Sequence, residues 1–335
     1  MAKILVTGAA GFIGSFVAKR LLKDNFEVVG IDNLNDYYSV DLKHARLEML
    51  SSNPAFTFLK QDISDKQELL DLFKKEKLDY VIHLAAQAGV RYSIENPDVY
   101  IQSNIIGTFN ILEACRYYPV KHLIYASSSS VYGANTKVPF SEEDFVDHPV
   151  SLYAATKKSN ELMAHSYSHL YQIPITGLRF FTVYGPMGRP DMAYFSFVND
   201  YFANKTIKIF NNGDFENDMY RDFTYIDDIV EGIVRLIPRP PLNLKVKHQV
   251  LNIGNNQPEK LMTFITTLEE CLGASLGKTI VFKKSFEPIK LGDVHKTYAA
   301  TEKLETLIDF KPKTSIKEGL KSFTDWFVKY YKIVD

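Results

Sequence analysis

"KILVTGAAGFIG", residues 3–14, decides how the fold is read. Ile4, Leu5 and Val6, closed by Thr7, form a short apolar run that reads as a buried strand. Three glycines follow, Gly8, Gly11 and Gly14, spaced three apart. In that setting the first permits a tight turn, the second lets the backbone approach a pyrophosphate, and the third lets a helix pack closely on its strand. A helical pattern runs from residue 12 to 24, so its N-terminal N–H groups and positive dipole end face the same anion. "EVVGID" (27–32) predicts a second strand ending on Asp32, 18 positions past Gly14. A carboxylate there hydrogen-bonds the ribose 2′-hydroxyl of NAD and repels the 2′-phosphate of NADP.

Outward from this unit the rhythm repeats. "FTFLKQDI" (56–63), "DYVIHLAA" (79–86) and "HLIYASS" (122–128) predict three more strands with helical patterns between them. Such alternation means a parallel sheet with helices on both faces. Later strands are expected in "ITGLRFFTVYG" (175–185) and "QVLNIGN" (249–255), a turn in "IPRPPLN" (237–243), and an exposed loop in "NNGDFENDMYRDF" (211–223). The 335 residues suffice for one large or two medium domains. A net charge of -1 leaves no excess of basic residues for nucleic acid. Cys115 and Cys271 stand alone, so no disulfide framework or zinc site is expected, and a reducing compartment fits. The N-terminal apolar run is too short to span a membrane and lacks a signal-peptide cleavage pattern, which makes the cytoplasm the expected location.

"SLYAATKKS" (151–159) places Tyr153 four positions before Lys157. On a helix these share one face. An ammonium near a phenol favours phenolate, and a nicotinamide cation would act in the same direction, giving a base able to take a proton from a sugar hydroxyl. The spacing alone also fits the surface of any amphipathic helix. "ASSSSVYG" (126–133) weighs toward chemistry, because ligands bind at the C-terminal ends of strands in an open α/β sheet.

Together, TGxxGxxG, the Asp after strand two, "HLAA", "SSSSVYG", YxxxK and "RDFTYIDD" resemble the extended short-chain dehydrogenase/reductase family over nearly the whole chain. The resemblance implies a Rossmann-type doubly wound parallel sheet with a smaller C-terminal α/β substrate domain. It divides the chain into residues 1–178 plus about 220–256 for NAD, and 179–219 plus 257–335 for a UDP-sugar. By motif position it makes Ser128, Tyr153 and Lys157 catalytic. Around NAD it places Gly8, Gly11, Phe12, Ile13, Gly14, Asp32, Asn33, Asp62, Ile63, Leu84, Ala85, Ala86, Ser103, Tyr153, Lys157 and Phe181. It also implies a homodimer through helices near residues 100–118 and 153–170.

Sugar-nucleotide 4,6-dehydratases of this family carry an Asp-Glu pair directly after the catalytic Ser or Thr; Ser129 and Ser130 stand there instead, which disfavours dehydration. "NLNDYYSVDLKHARL" (33–47), "AAQAGVRYSIENPDVYIQSN" (85–104) and "RFFTVYGPMGRPDMA" (179–193) are similar to the UDP-glucuronate 4-epimerases. On that resemblance Arg91, Ser128, Ser129, Ser130, Tyr153, Thr182, Arg189, Arg221 and Asp293 contact the substrate. Ser129, Ser130, Thr182 and Arg189 would surround its C6 carboxylate, with a guanidinium suited to bidentate pairing. Two stretches depart from the subfamily: the extra "FENDMY" before "RDF", and "LGDV" in place of "PGDV". The rival readings are a UDP-hexose or N-acetylhexosamine 4-epimerase, a UDP-glucuronate decarboxylase, and a non-catalytic NAD-binding sensor. Other residues read plainly: His83 as a core histidine, Asp227 and Asp228 as helix caps and dipole partners, Arg221 alternatively as a salt-bridge partner of Asp222, Asp227 or Asp228, and residues 302–331 as a capped amphipathic helix with its approach.

Overall fold

The computed structural model describes residues 1–214, 218–288 and 295–333. Strands and helices alternate from the start: β1 (Lys3–Thr7), α1 (Phe12–Lys23), β2 (Glu27–Asp32), α2 (Val40–Ser51), β3 (Phe56–Lys60), α3 (Lys66–Glu76) and β4 (Tyr80–His83). Two helical turns, α4 (Tyr92–Glu95) and α5 (Asp98–Tyr100), lead through a π-helical stretch, Ile101–Ile106, into α6 (Gly107–Tyr117). Then come β5 (His122–Ser128), a 3₁₀ turn over Ser129–Tyr132, α7 (Leu152–Tyr171) and β6 (Ile175–Phe180). The central strands are apolar on both faces because both faces are covered. Val17, Leu21, Ile229 and Ile233 pack on one side of the sheet, and Leu69, Leu72, Ile111 and Ala164 on the other.

The chain continues through β7 (Thr182–Tyr184), α8 (Ala193–Phe202), β8 (Ile207–Ile209), β9 (Tyr220–Tyr225), α9 (Ile226–Leu236), β10 (His248–Ile253), β11 (Pro258–Lys260), α10 (Leu261–Leu276), β12 (Lys284–Phe286), β13 (Lys296–Thr297), α11 (Glu302–Ile308) and α12 (Ile316–Tyr330). Seven parallel strands form the large sheet in the order β10-β6-β5-β4-β1-β2-β3. The chain builds outward from β1 to β3, then crosses back to lay β4 on the other side of β1. That reversal opens a crevice at the strands' C-terminal ends. β7, β9, β11 and β13 form a smaller sheet, and α8, α10 and α12 pack around a second, aromatic-rich core. Ser315 and Glu318 close α12 with a reciprocal capping box, as the sequence pattern implied.

Three expectations change. "ITGLRFFTVYG" is two strands, not one: β6 ends at Phe180, the Phe181 N–H bonds to the Ile253 carbonyl, and β7 starts a different sheet against β9. Residues 218–223 are not an exposed loop. Asp218, Met219 and Asp222 are buried, because Asp218 takes the Asn211 amide and the Met262 N–H while Asp222 accepts from the N–H groups of Asn255, Asn256 and Ala299. Finally, α9 is preceded by Tyr225 with no side-chain cap; Asp227 and Asp228 lie inside its first turn, where they face the dipole, and Asp228 accepts the Thr314 N–H instead.

Three histidines are enclosed in this architecture. His83 bridges Thr7 and Thr108, and burial, aided by Lys157, pushes its pKa down to about 3. Burial pushes His122 and His248 down to about 4. The unfolded chain protonates these rings near pH ~6.5, whereas the folded protein does not until the pH is far lower. Stability is therefore full above ~6.5 and falls as the pH drops toward 4, at about 1.4 kcal/mol per pH unit for each ring. Thermal midpoints measured from pH 7 to 4.5 should decline steadily, and less steeply in His83→Gln. A flat series would show that these rings exchange protons freely in the native state.

Candidate active site

A cleft of about 1220 Å³ opens at the reversal point of the large sheet and extends under the smaller one. Every candidate residue named from the sequence lines it except Asp293, which lies outside the described residues together with 215–217 of the extra segment.

The glycine loop forms one end. Gly8 has φ +70, and a methyl there would lie 2.9 Å from the Ala85 N. A methyl on Gly14 would lie 2.1 Å from the Gly8 carbonyl oxygen, so helix and loop can touch only through glycine. The N-cap of α1 is Gly11, whose lack of a side chain leaves the first-turn N–H groups to an outside anion. Asp32 is buried beside this loop, accepting from the Ala10 N–H at 3.2 Å and the Leu34 N–H at 2.8 Å. Asn33 donates to Asp62 at 2.8 Å, and that bond with those from Ser64 outweighs burial and holds the Asp62 pKa below its ordinary value. The buried Gln61 amide nitrogen, also lining the cleft, has no protein partner among the described residues. A glycine cradle, an open helix N-terminus, a ribose-level carboxylate and an orphaned amide donor suit a dinucleotide; NAD fits.

Sequence reading missed Lys43. Its buried ammonium lies 3.8 Å from Asp32 and donates to Asn35, and burial lowers its pKa while Asp32 opposes that. Asp32→Ala should weaken NAD and narrow its advantage over NADP. Repulsion toward a 2′-phosphate disappears while the Lys43 cation stays. Titrating NADH and NADPH into the variant checks this; unchanged selectivity would place Asp32 away from the ribose.

Ser128 ends β5, and its hydroxyl caps the following 3₁₀ turn, accepting the Ser130 N–H at 3.2 Å and donating to the Ser130 hydroxyl at 3.1 Å. Ser151 caps α7, and Tyr153 and Lys157 lie on its first turns. Burial acts on both side chains. Lys157 is buried and donates to the Ala126 carbonyl at 2.9 Å, and burial brings its pKa down to about 8. Burial raises the Tyr153 pKa, with Ser128 and Arg189 pulling it the other way. In the free protein, desolvation outweighs the Ser128 hydrogen bond and the Arg189 charge. Behind this centre, Glu161 on α7 accepts from Ser127 at 2.7 Å and takes Arg179 bidentately at 2.8 Å, fastening the tyrosine's helix to the serine's strand.

Thr182, first residue of β7, and Arg189 also line the cleft. The Arg189 fork is engaged: Nε and Nη2 each lie 3.0 Å from an oxygen of Asp191. Arg221 donates to the carbonyls of Tyr220 and His295. Arg91 lies over the Phe210 ring, 5.2 Å from its centroid. Arg46 is another residue the sequence did not mark. It is fully buried on α2, and its five N–H groups are spent on Met187, Gly188, Ala10 and Tyr38 oxygens, tying the glycine loop to the segment that carries Arg189. Nothing in the pattern of α2 distinguishes this arginine from a solvated one.

Known proteins share this arrangement. "Protein CapI" of Staphylococcus aureus is 51% identical, over 98% of this chain and 99% of its own length. A "Probable UDP-glucuronate 4-epimerase" of Rhizobium meliloti is 45% identical over 98% of both chains. The crystal structure of UDP-glucuronic acid 4-epimerase from Bacillus cereus, in complex with UDP-glucuronic acid and NAD, superposes with a TM-score of 0.88 at 36% identity, over 98% of this chain and 100% of that one. The profile of the NAD dependent epimerase/dehydratase family matches residues 4–254, from β1 through the last strand of the large sheet. The chain belongs to that family.

Proposed function

We infer that this protein interconverts the C4 epimers of a UDP-uronic acid, UDP-glucuronate and UDP-galacturonate, with NAD as a resident cofactor. The observation that carries the uronate reading is Arg189. It is a guanidinium in the same cleft as Ser128, Tyr153 and Lys157, and the two serines that stand where a dehydratase has its acid pair line that cleft too. NAD, held by the glycine loop, Asp32 and the Gln61 region, supplies a reversible two-electron acceptor. Tyr153 takes the proton of the C4 hydroxyl, directly or through Ser128, and later returns one. Lys157, anchored on Ala126, supports the tyrosine's side of the cleft and contributes positive charge. Ser129, Ser130, Thr182 and Arg189 hold the C6 carboxylate. That grip matters because a 4-keto uronate is a β-keto acid: it loses CO2 only when the C5–C6 bond aligns with the carbonyl π system, and a fixed carboxylate prevents the alignment. Arg221, Arg91 and Asp293 serve the nucleotide end.

The division into a cofactor lobe, 1–178 with about 220–256, and a sugar lobe, 179–219 with 257–335, follows the same reading. A homodimer is supported by apolar residues exposed around α4–α7: Ile94, Ile101, Ile106, Leu162 and Leu170 face solvent, Ile94 at 78%. No helix among the described residues is long and apolar enough to cross a membrane; the buried, free Cys115 and Cys271 support a reducing compartment, and we assign the protein to the cytoplasm. Incubation with a panel of UDP-sugars, with products resolved by NMR, tests the reading. Interconversion of UDP-glucuronate and UDP-galacturonate is expected. Better turnover of UDP-galactose than of UDP-galacturonate would install the hexose epimerase in its place, UDP-pentose as the main product the decarboxylase, and no turnover the sensor.

A further inference from the structure

Arg189 and Asp191 form a parallel two-point pair, with both N···O distances 3.0 Å. This is the geometry in which a guanidinium takes any carboxylate, a uronate's included. The pair is not sealed off: the two side chains are 24% and 32% exposed, and both line the cleft. Asp191 also has a second partner in place, because the Tyr37 hydroxyl donates to its Oδ2 at 3.3 Å. The Tyr37 ring is braced by Tyr92, with centroids 4.8 Å apart. Two carboxylates on one guanidinium repel each other, and a sugar-nucleotide brings further negative charge on its diphosphate.

We propose that Asp191 is an internal occupant of the Arg189 fork, which the carboxylate of a UDP-uronate displaces toward Tyr37, and that Asp191 thereby sets how strongly the site prefers uronates to neutral hexoses. The proposal rests on the reading that Arg189 binds the uronate carboxylate. When the cleft is free, the built-in carboxylate keeps Arg189 paired. A UDP-hexose leaves the pair intact and is charged nothing for it. A UDP-uronate must break it before making its own. Asp191 therefore lowers the selectivity that Arg189 alone would confer, and removing its charge should raise that selectivity.

Isothermal titration of UDP-glucuronate and UDP-glucose into the NAD-loaded protein tests this in four forms: wild type, Asp191→Asn, Arg189→Ala and the double variant. Asparagine keeps the size of Asp191 and an oxygen for Tyr37 but not the charge. Asp191→Asn should tighten UDP-glucuronate about two- to tenfold, the gain expected when a partly exposed ion pair no longer has to be broken. UDP-glucose should change by less than about twofold. In the Arg189→Ala background the gain should vanish, since no fork remains to contest. Weaker or unchanged UDP-glucuronate binding in Asp191→Asn would overturn the proposal, making Asp191 a brace that orients Arg189. A gain that persists without Arg189 would overturn it too, since simple repulsion between carboxylates would then suffice. If Arg189→Ala alone does not weaken UDP-glucuronate relative to UDP-glucose, the carboxylate clamp itself fails, an outcome distinct from failure of the exchange.

Discussion

Tyr153→Phe should fold, retain NAD and lose turnover by several orders of magnitude, of which loss of the general base alone accounts for about 10²–10⁴-fold. The ring packs edge-on to Tyr100 with centroids 6.1 Å apart, and phenylalanine preserves that contact. What disappears is the hydroxyl on which the influences of Ser128 and Arg189 converge. His83 offers no substitute base, since Thr7 and Thr108 occupy its ring nitrogens and burial keeps it neutral. Rapid-quench turnover of UDP-glucuronate measures the effect. A variant keeping more than a tenth of the wild-type kcat would show that another residue takes the proton.

Arg189→Ala should cost UDP-glucuronate about 10–150-fold in kcat/KM, the value of a charge-assisted pair of about 1.5–3 kcal/mol in a partly dry site. UDP-glucose and UDP-galactose have no carboxylate, so their weak rates should change little. Lysine at 189 restores a charge but not the fork and should recover activity only in part. A loosened carboxylate also reaches the geometry that loses CO2, so UDP-pentose should appear among the products by NMR. Equal losses for uronates and hexoses would remove Arg189 from substrate discrimination.

The cofactor half was legible because its signals are local. A strand, a glycine turn and a helix are contiguous at residues 3–23, and Asp32 follows at the end of the next strand. The Ser128, Tyr153 and Lys157 centre was legible for the same reason, since i,i+4 spacing on a capped helix is a sequence property. Failures arose where long-range contacts decide. That Thr182–Tyr184 leave the large sheet depends on pairing with Phe223–Tyr225, about 40 residues later in sequence. Asp218 and Asp222 look solvated by composition, yet each is enclosed by N–H donors from later segments. Spacing reports a neighbouring cation and not the desolvation that opposes it in the free protein, so the burial around Tyr153 was not legible. Lys43 and Arg46 were invisible because a buried cation and a solvated one have the same letter.

Arg46 also bears on how such enzymes can be recombined. Its five donations are divided among the glycine loop, the Tyr38 hydroxyl and the backbone at residues 187–188, so neither half of the molecule satisfies it alone. A chimera that grafts the sugar-binding segments of a relative onto this cofactor half keeps the guanidinium but changes the backbone that receives it. A buried cation short of acceptors costs several kcal/mol, comparable with the whole stability of many domains. Productive crossovers must therefore inherit residues 38–46 and 187–188 from one parent, although some 140 positions separate them in the chain; a breakpoint chosen from the domain boundary alone cuts through this joint.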